Sequence, residues 1–292
     1  MEEIFVKSKN LELFTQVYGK ATNPAVILIY GAAGQGILWD QDLCKNIANN
    51  GYFVIRFDNR DTGKSSAFDY NANPYNLKDM AQDIIIILDY FKIHKAHIVG
   101  SSMGGYIAQN LAIYFPSRIL TLTLMMTTIN SLALRGVRGI CNLPGANIEV
   151  IKKISQLYKV PRSSLEDKIN VLLQTWELFN GNMACFPLEQ WRELAIESYQ
   201  RATSKNAVRN HRLAVLNSKA DRTKDLQALE IATLIIHGEE DPIIQVPHAH
   251  YANKNIPGSS TVIIKKMGHL LTSVFTNQIE DELLRHFEKK SY

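Results

Sequence analysis

The chain has 292 residues, 46% apolar and 21% charged, with 16 Gly and 9 Pro. Such a composition suits one large core, or a core carrying an insertion, and excludes disorder, collagen-like repeats and low complexity. The 32 basic and 28 acidic residues leave a net charge of +4, too small and too dispersed for the concentrated basic face that nucleic acid requires.

Three cysteines, Cys44, Cys141 and Cys185, lie far apart. Their odd number and spacing build neither a disulfide framework nor a metal quartet, which fits a reducing compartment. Residues 1–10 include Glu2, Glu3, Lys7 and Lys9 and lack the apolar core of a signal peptide. The longest apolar runs, such as 25–30 and 84–88, are far short of a membrane span. A soluble, cytoplasmic protein is expected.

Along the chain, residues 12–18 predict an antiparallel hairpin strand at a sheet edge. The runs 25–30, 52–57, 96–99 and 119–125 are continuous and apolar, as in strands buried on both faces of a parallel sheet. Helical patterns separate them. Leu77, Met80, Ala81, Ile84, Ile87, Leu88 and Phe91 recur at i, i+3, i+4 spacing, and so do Ile107, Leu111 and Tyr114. Alternation of this kind predicts an α/β fold with right-handed crossovers. Near the end, 232–237 and 261–264 read as strands, and 277–288 reads as a closing helix with Ile279, Leu283, Leu284 and Phe287 inward.

Between 127 and 229 no strand pattern is found, although connections in such folds usually run to ~2–6 residues. Ser163 with Glu166 suggests a capping box, followed by the stripe Ile169, Leu172, Leu173, Trp176 and Phe179 and a stop at Gly181. Pro187 is placed to open a further helix with Leu188, Trp191, Leu194 and Ala195 inward. The expected organisation is a core of residues 1–127 and 230–292, with residues 128–229 inserted as a helical cap.

The strongest chemical signal is Gly100-Ser101-Ser102-Met103-Gly104, which follows a strand pattern and opens a helical one. A G-x-S-x-G in that setting is a nucleophile elbow, with Ser102 on a strained turn and small neighbours that let strand and helix approach. A serine hydroxyl needs a base. Of eight histidines, His94 and His97 precede the serine and flank or occupy a strand, while His211 in the cap and His286 on the last helix have a surface role by default. His269 follows Lys265-Lys266-Met267-Gly268 at the carboxyl end of a strand, where ligand groups of open α/β sheets gather. The acid is expected after the preceding strand. There Glu239, Glu240 and Asp241 compete, and Asp241 is preferred because Pro242 fixes the turn and opens the next helix. Asp221 and Asp225 lie before that strand.

Tyr30-Gly31-Ala32-Ala33-Gly34-Gln35-Gly36 follows the 25–30 strand and is the candidate oxyanion loop, with Ala32 and Met103 as the N–H donors. A dinucleotide loop fails here because Trp39 stands where a third glycine is needed. Gly63-Lys64-Ser65 fails as a phosphate loop because Asp58 occupies the first glycine position. His248-x-His250 is too sparse for zinc, and no metal site is expected.

These residues together resemble the α/β-hydrolase superfamily, over residues 1–127 and 230–290. The resemblance rests on Tyr30-Gly31, the stretch from Asp58 to Ser65, the Ser102 elbow, Asp241-Pro242 and Gly268-His269. Tyr30 replaces the superfamily's common histidine, and Asp61 its common glycine. Asp61, Trp39-Asp40 and Asn73-Pro74-Tyr75 narrow the likeness to aclacinomycin methylesterase-like serine esterases, which hydrolyse a methyl ester on a polyketide. The resemblance implies an α/β-hydrolase fold with a helical cap and esterase chemistry on a small-molecule ester. No cofactor is implied. Oligomeric state, monomer or dimer, is open. Gly31, Trp176, Phe179, Phe186 and Trp191 are candidate substrate-binding residues. Thioesterase, carbon–carbon hydrolase, iminopeptidase, perhydrolase and acyltransferase chemistry are the alternatives, together with a ligand receptor of slow turnover.

Overall fold

The structure, a computed structural model, describes residues 1–137, 142–181 and 186–289, so Cys141 and Cys185 lie outside the described residues. An eight-stranded sheet organises it. β1 (Glu2–Ser8) and β2 (Leu11–Tyr18) form an antiparallel hairpin with Phe5 opposite Phe14. β2 also pairs antiparallel with β4 (Phe53–Phe57), so the outer edge is β1 and not the predicted 12–18 strand. β1 escapes the apolar-run criterion because it has one solvated face; of its residues only Val6 is buried.

β3 (Ala25–Ile29), β4, β5 (Ala96–Ser101), β6 (Ile119–Met125), β7 (Thr233–Gly238) and β8 (Ser260–Ile264) are parallel. The strand order is β1-β2-β4-β3-β5-β6-β7-β8. Alternate side chains of β3 enter opposite layers. Ile27 and Ile29 join one apolar cluster with Met80, Ile84, Ile107 and Leu111, from α2 (Leu77–Tyr90) and α3 (Met103–Tyr114). Val26 and Leu28 join another with Leu43 and Ile47 of α1 (Gln41–Asn49). Burial on both faces explains the continuous apolar runs.

Between β6 and β7 the described residues form α4 (Ile148–Leu157), α5 (Leu165–Asn180), α6 (Leu188–Arg201), α7 (Ala207–Leu216) and the one-turn α8 (Thr223–Leu226). α9 (Pro247–Asn255) and α10 (Thr276–Phe287) follow β7 and β8. The helix after β7 therefore opens at Pro247, because Pro242 stays inside the turn that Asp241 caps. The α5 capping box is Ser164 with Asp167, one residue beyond the predicted Ser163 and Glu166. Leu188 faces solvent, since it occupies the first turn of α6, while Trp191 and Ala195 are buried as expected. Among the described residues no helix is long and apolar enough to cross a membrane.

Candidate active site

A single residue, Ser102, separates β5 from α3, and it takes φ +55° and ψ −118°. Such a conformation costs a side-chain-bearing residue on the order of 1–3 kcal/mol. Close packing holds it. A Cβ on Gly100 would lie 2.3 Å from the Gly104 carbonyl oxygen, and one on Gly104 would lie 2.1 Å from that of Ile29. The Ser102 N–H donates to the Met125 carbonyl at 2.9 Å, and the Thr127 hydroxyl donates to the Ser102 carbonyl at 2.8 Å.

His269 is carried past β8, where its N–H donates to the Phe179 carbonyl at 2.7 Å. Its Nδ1 lies 2.6 Å from Asp241 Oδ2 and its Nε2 lies 3.0 Å from Ser102 Oγ. A carboxylate opposite Nδ1 places the ring proton there and leaves Nε2 to accept from the serine. Asp241 is buried and its other oxygen accepts the N–H groups of Ile243 and Ile244, each at 2.8 Å. Glu239 instead accepts the Lys266 N–H at 3.4 Å, Asp221 accepts the Thr223 N–H at 2.9 Å, and Asp225 pairs with Lys219. A further buried histidine, His237, approaches Asp241 Oδ2 at 3.5 Å while donating to the Ile244 carbonyl; burial pushes its pKa down.

The loop after β3 lies against the serine: a Cβ on Gly31 would sit 3.5 Å from Ser102 Oγ. Ala32 is exposed, and Met103 is the first residue of α3. The next residue, Ala33, has φ +59° and its N–H donates to His211 Nδ1 at 2.9 Å. Further on, Gly36 N–H donates to Asp58 Oδ1 at 2.8 Å. Asp58 Oδ2 accepts from Arg201 of α6 at 2.8 Å, and Arg201 also reaches Gln35 Oε1 at 2.7 Å. Two histidines expected at the surface are thus interior. His211 is fully buried between Ala33 and Arg60, and His286 is buried beneath β6, donating to the Leu122 carbonyl. The face of a helix that meets the sheet, not its place near the chain's end, decides this burial.

Asp61 adopts φ +67°, a region asparagine and aspartate enter more readily than most residues. Its carboxylate accepts from the Phe68 N–H, the Tyr75 hydroxyl and Asn210 Nδ2 at 2.7, 2.5 and 3.0 Å. This is what the departure from glycine provides: a tie between the β4 loop and α7. Of the candidate substrate-binding residues, Phe179 stands with its ring centroid 6.0 Å from that of His269. Trp176, Phe186 and Trp191 pack on one another, with centroids 4.9 Å apart for the two indoles and 5.6 Å for Phe186 with Trp191. Sequence reasoning missed His211, Gln35 and Arg201, for each meets its partner across more than a hundred residues and no local spacing marks it.

Residues 24–142 match the family model of the alpha/beta hydrolase fold. The chain is 28% identical over 274 residues to the rhodomycin D methylesterase DauP of Streptomyces sp. (strain C5), covering 91% of each chain. The identity is also 28% to DnrP of Streptomyces peucetius, a protein of the same name and over the same span. The solved esterase EaEST from Exiguobacterium antarcticum superposes with a TM-score of 0.76 at 21% identity, over 96% of both chains. This chain therefore has the α/β-hydrolase fold. Within it, the chain resembles the rhodomycin D methylesterases, as the aclacinomycin methylesterase-like features of its sequence led us to expect.

Proposed function

We propose that this chain is a serine hydrolase that cleaves a carboxylic ester, a methyl ester on a small apolar molecule being the first choice. The observation that carries the reading is the hydrogen-bonded row Ser102–His269–Asp241, with 3.0 and 2.6 Å between its members. The methylesterase relatives support the choice of bond. His269 Nε2 takes the hydroxyl proton as Ser102 Oγ attacks the ester carbonyl, and Asp241 stabilises the imidazolium. The N–H groups of Ala32 and Met103 hold the oxyanion. His269 then gives its proton to the departing alcohol, and water attacks the acyl-serine by the same path to release the acid.

Residues 128–229 serve as the cap over this site, with Gly31 and Phe179 beside the reacting ester and Trp176, Phe186 and Trp191 as the aromatic packing behind it. The mechanism asks for no metal or organic cofactor. A cytoplasmic setting goes with the reading, and the one cysteine among the described residues agrees: Cys44 is buried and its thiol is pushed up to about 12 by burial, which keeps it unreactive.

The test is intact-mass analysis after treatment with a small fluorophosphonate, followed by peptide mapping and assays on p-nitrophenyl and bulky methyl esters. One adduct on Ser102, absent from His269→Ala, together with multiple turnovers abolished in Ser102→Ala, is the expected result. A folded protein that takes no adduct and turns over no ester overturns the reading in favour of a ligand receptor.

A further inference from the structure

Among the side chains that join the oxyanion loop to the inserted helices, one touches Ala33, next to the proposed donor, and is not used by the catalytic row. His211 of α7 has no exposed surface. Its Nδ1 faces the Ala33 N–H at 2.9 Å and its Nε2 faces the Arg60 carbonyl at 2.8 Å. Neither partner titrates: one only donates and the other only accepts. Nδ1 must therefore be bare and Nε2 protonated, so two backbone groups dictate the tautomer without reference to any other side chain. Arg60 is itself immobilised by a two-point ion pair with the buried Asp83, at 2.8 and 2.5 Å.

At the other end of this relay, Ala33 sits at φ +59°, a conformation an alanine does not hold without support. The bond from its N–H supplies that support, and the Gly34 N–H closes the turn back onto the Gly31 carbonyl at 3.3 Å. Fixing the Ala32–Ala33 peptide plane on one side and the Gly31 carbonyl on the other leaves the Ala32 N–H little freedom, beside a Gly31 that abuts Ser102.

We infer that His211 is a positioning residue for the oxyanion hole: as a neutral Nε2–H imidazole it holds the Ala33 peptide and so aims the Ala32 N–H at the reacting carbonyl. Burial pushes its pKa down, which keeps Nδ1 an acceptor at neutral pH. The inference rests on the serine-hydrolase reading for its effect on turnover, and not for its effect on the loop.

Two substitutions separate its bonds. Asn places Oδ1 where Nδ1 stands and keeps the acceptor for Ala33; Gln places Nε2 where the ring Nε2 stands and keeps only the donor to Arg60. On p-nitrophenyl acetate, His211→Gln should lose roughly 30- to 100-fold in kcat with KM within about twofold, the size expected when a reacting group is misplaced by about an ångström. His211→Asn should stay within about fivefold of the parent. Equal losses in the two variants, or a Gln variant with parental kcat, would overturn the inference. Two readouts need no activity. Imidazole ¹⁵N shifts of the unsubstituted protein should show Nε2 protonated and Nδ1 bare, and the reverse tautomer refutes the relay whether or not a variant folds. The Ala33 amide should be protected from exchange in the parent and in His211→Asn but not in His211→Gln; unchanged protection in His211→Gln refutes it. If the unsubstituted protein hydrolyses nothing, the serine-hydrolase reading fails while these two readouts still decide the role of His211.

Discussion

At the scale of single residues, the three acids after β7 differ less in type than in which way the turn sends them. Asp241 alone of the three reaches His269, and its second oxygen is occupied by two backbone N–H groups, so an amide in its place would lose acceptors and present its NH₂ to the wrong partners. Asp241→Asn should lower kcat by about 10⁴, as removal of a tautomer-fixing carboxylate does in serine hydrolases, whereas Glu240→Gln should keep kcat/KM within a factor of about two. A silent D241N beside a crippled E240Q in steady-state kinetics would reassign the acid. Asp61 poses a different contest. Asp61→Gly would relieve a left-handed conformation worth ~1 kcal/mol, but it would strand the buried Tyr75 hydroxyl and the Phe68 N–H at about 1–3 kcal/mol each, and leave Asn210 Nδ2 with the Phe68 carbonyl alone. The loss should win, and a melting temperature lowered by several degrees in calorimetry is the expected result; a rise would show that the three hydrogen bonds contribute nothing net.

At the scale of elements, legibility followed locality. β3 to β7 were readable because burial on both faces leaves an unbroken apolar run, β8 because its apolar residues are consecutive although it is a half-buried edge strand, and the elbow because its strand, turn and helix are contiguous. β1 was not, since one face of an edge hairpin is solvated and its composition reads as polar. Ser102, His269 and Asp241 could be ordered from the fold's usual sequence of loops, but the relay through His211 could not, because its partners sit 178 and 151 residues away. A one-residue displacement of the α5 cap shows the ordinary limit of boundary reading. Here Ser164 accepts the Asp167 N–H at 3.0 Å, and Asp167 accepts in return from the Ser164 N–H at 2.9 Å. Replacing Ser164 by Ala should cost ~1 kcal/mol of unfolding free energy in urea titrations, while replacing Ser163 should cost a few tenths. Equal costs would return the box to Ser163.

At the scale of the whole molecule, the interior holds several histidines whose pKa is pushed down by burial. His97 of β5 and His286 of α10 are both lowered to about 4, burial being the main cause, and the proximity of His286 adds to the shift at His97. Between pH 6.5 and 4 the unfolded chain binds protons at these sites that the folded chain does not, so stability falls as the solution is acidified through that window. Each site contributes a slope approaching about 1.4 kcal/mol per pH unit there, and none above pH 7. His286→Gln keeps a donor for the Leu122 carbonyl and removes the proton site. Urea midpoints measured from pH 7 to 4.5 should therefore fall less steeply for this variant than for the parent; parallel profiles would count against the assignment.

The contacts between the inserted helices and the two loops that frame Ser102 bear on how such a protein diversifies. α5 ends with its Phe179 carbonyl bound to the His269 N–H, and α7 binds the Ala33 N–H through His211. α6 adds Arg201, shared between Gln35 and Asp58. The segment is therefore joined to the loop that bears His269 and to the loop after β3, on opposite sides of Ser102. Transplanting the corresponding segment from a relative to acquire its selectivity would not be a neutral exchange of parts. Unless the grafted helices brought their own equivalents of the Phe179 carbonyl, His211 and Arg201, the chimera would carry new helices over a disarranged Ser102–His269–Asp241 row.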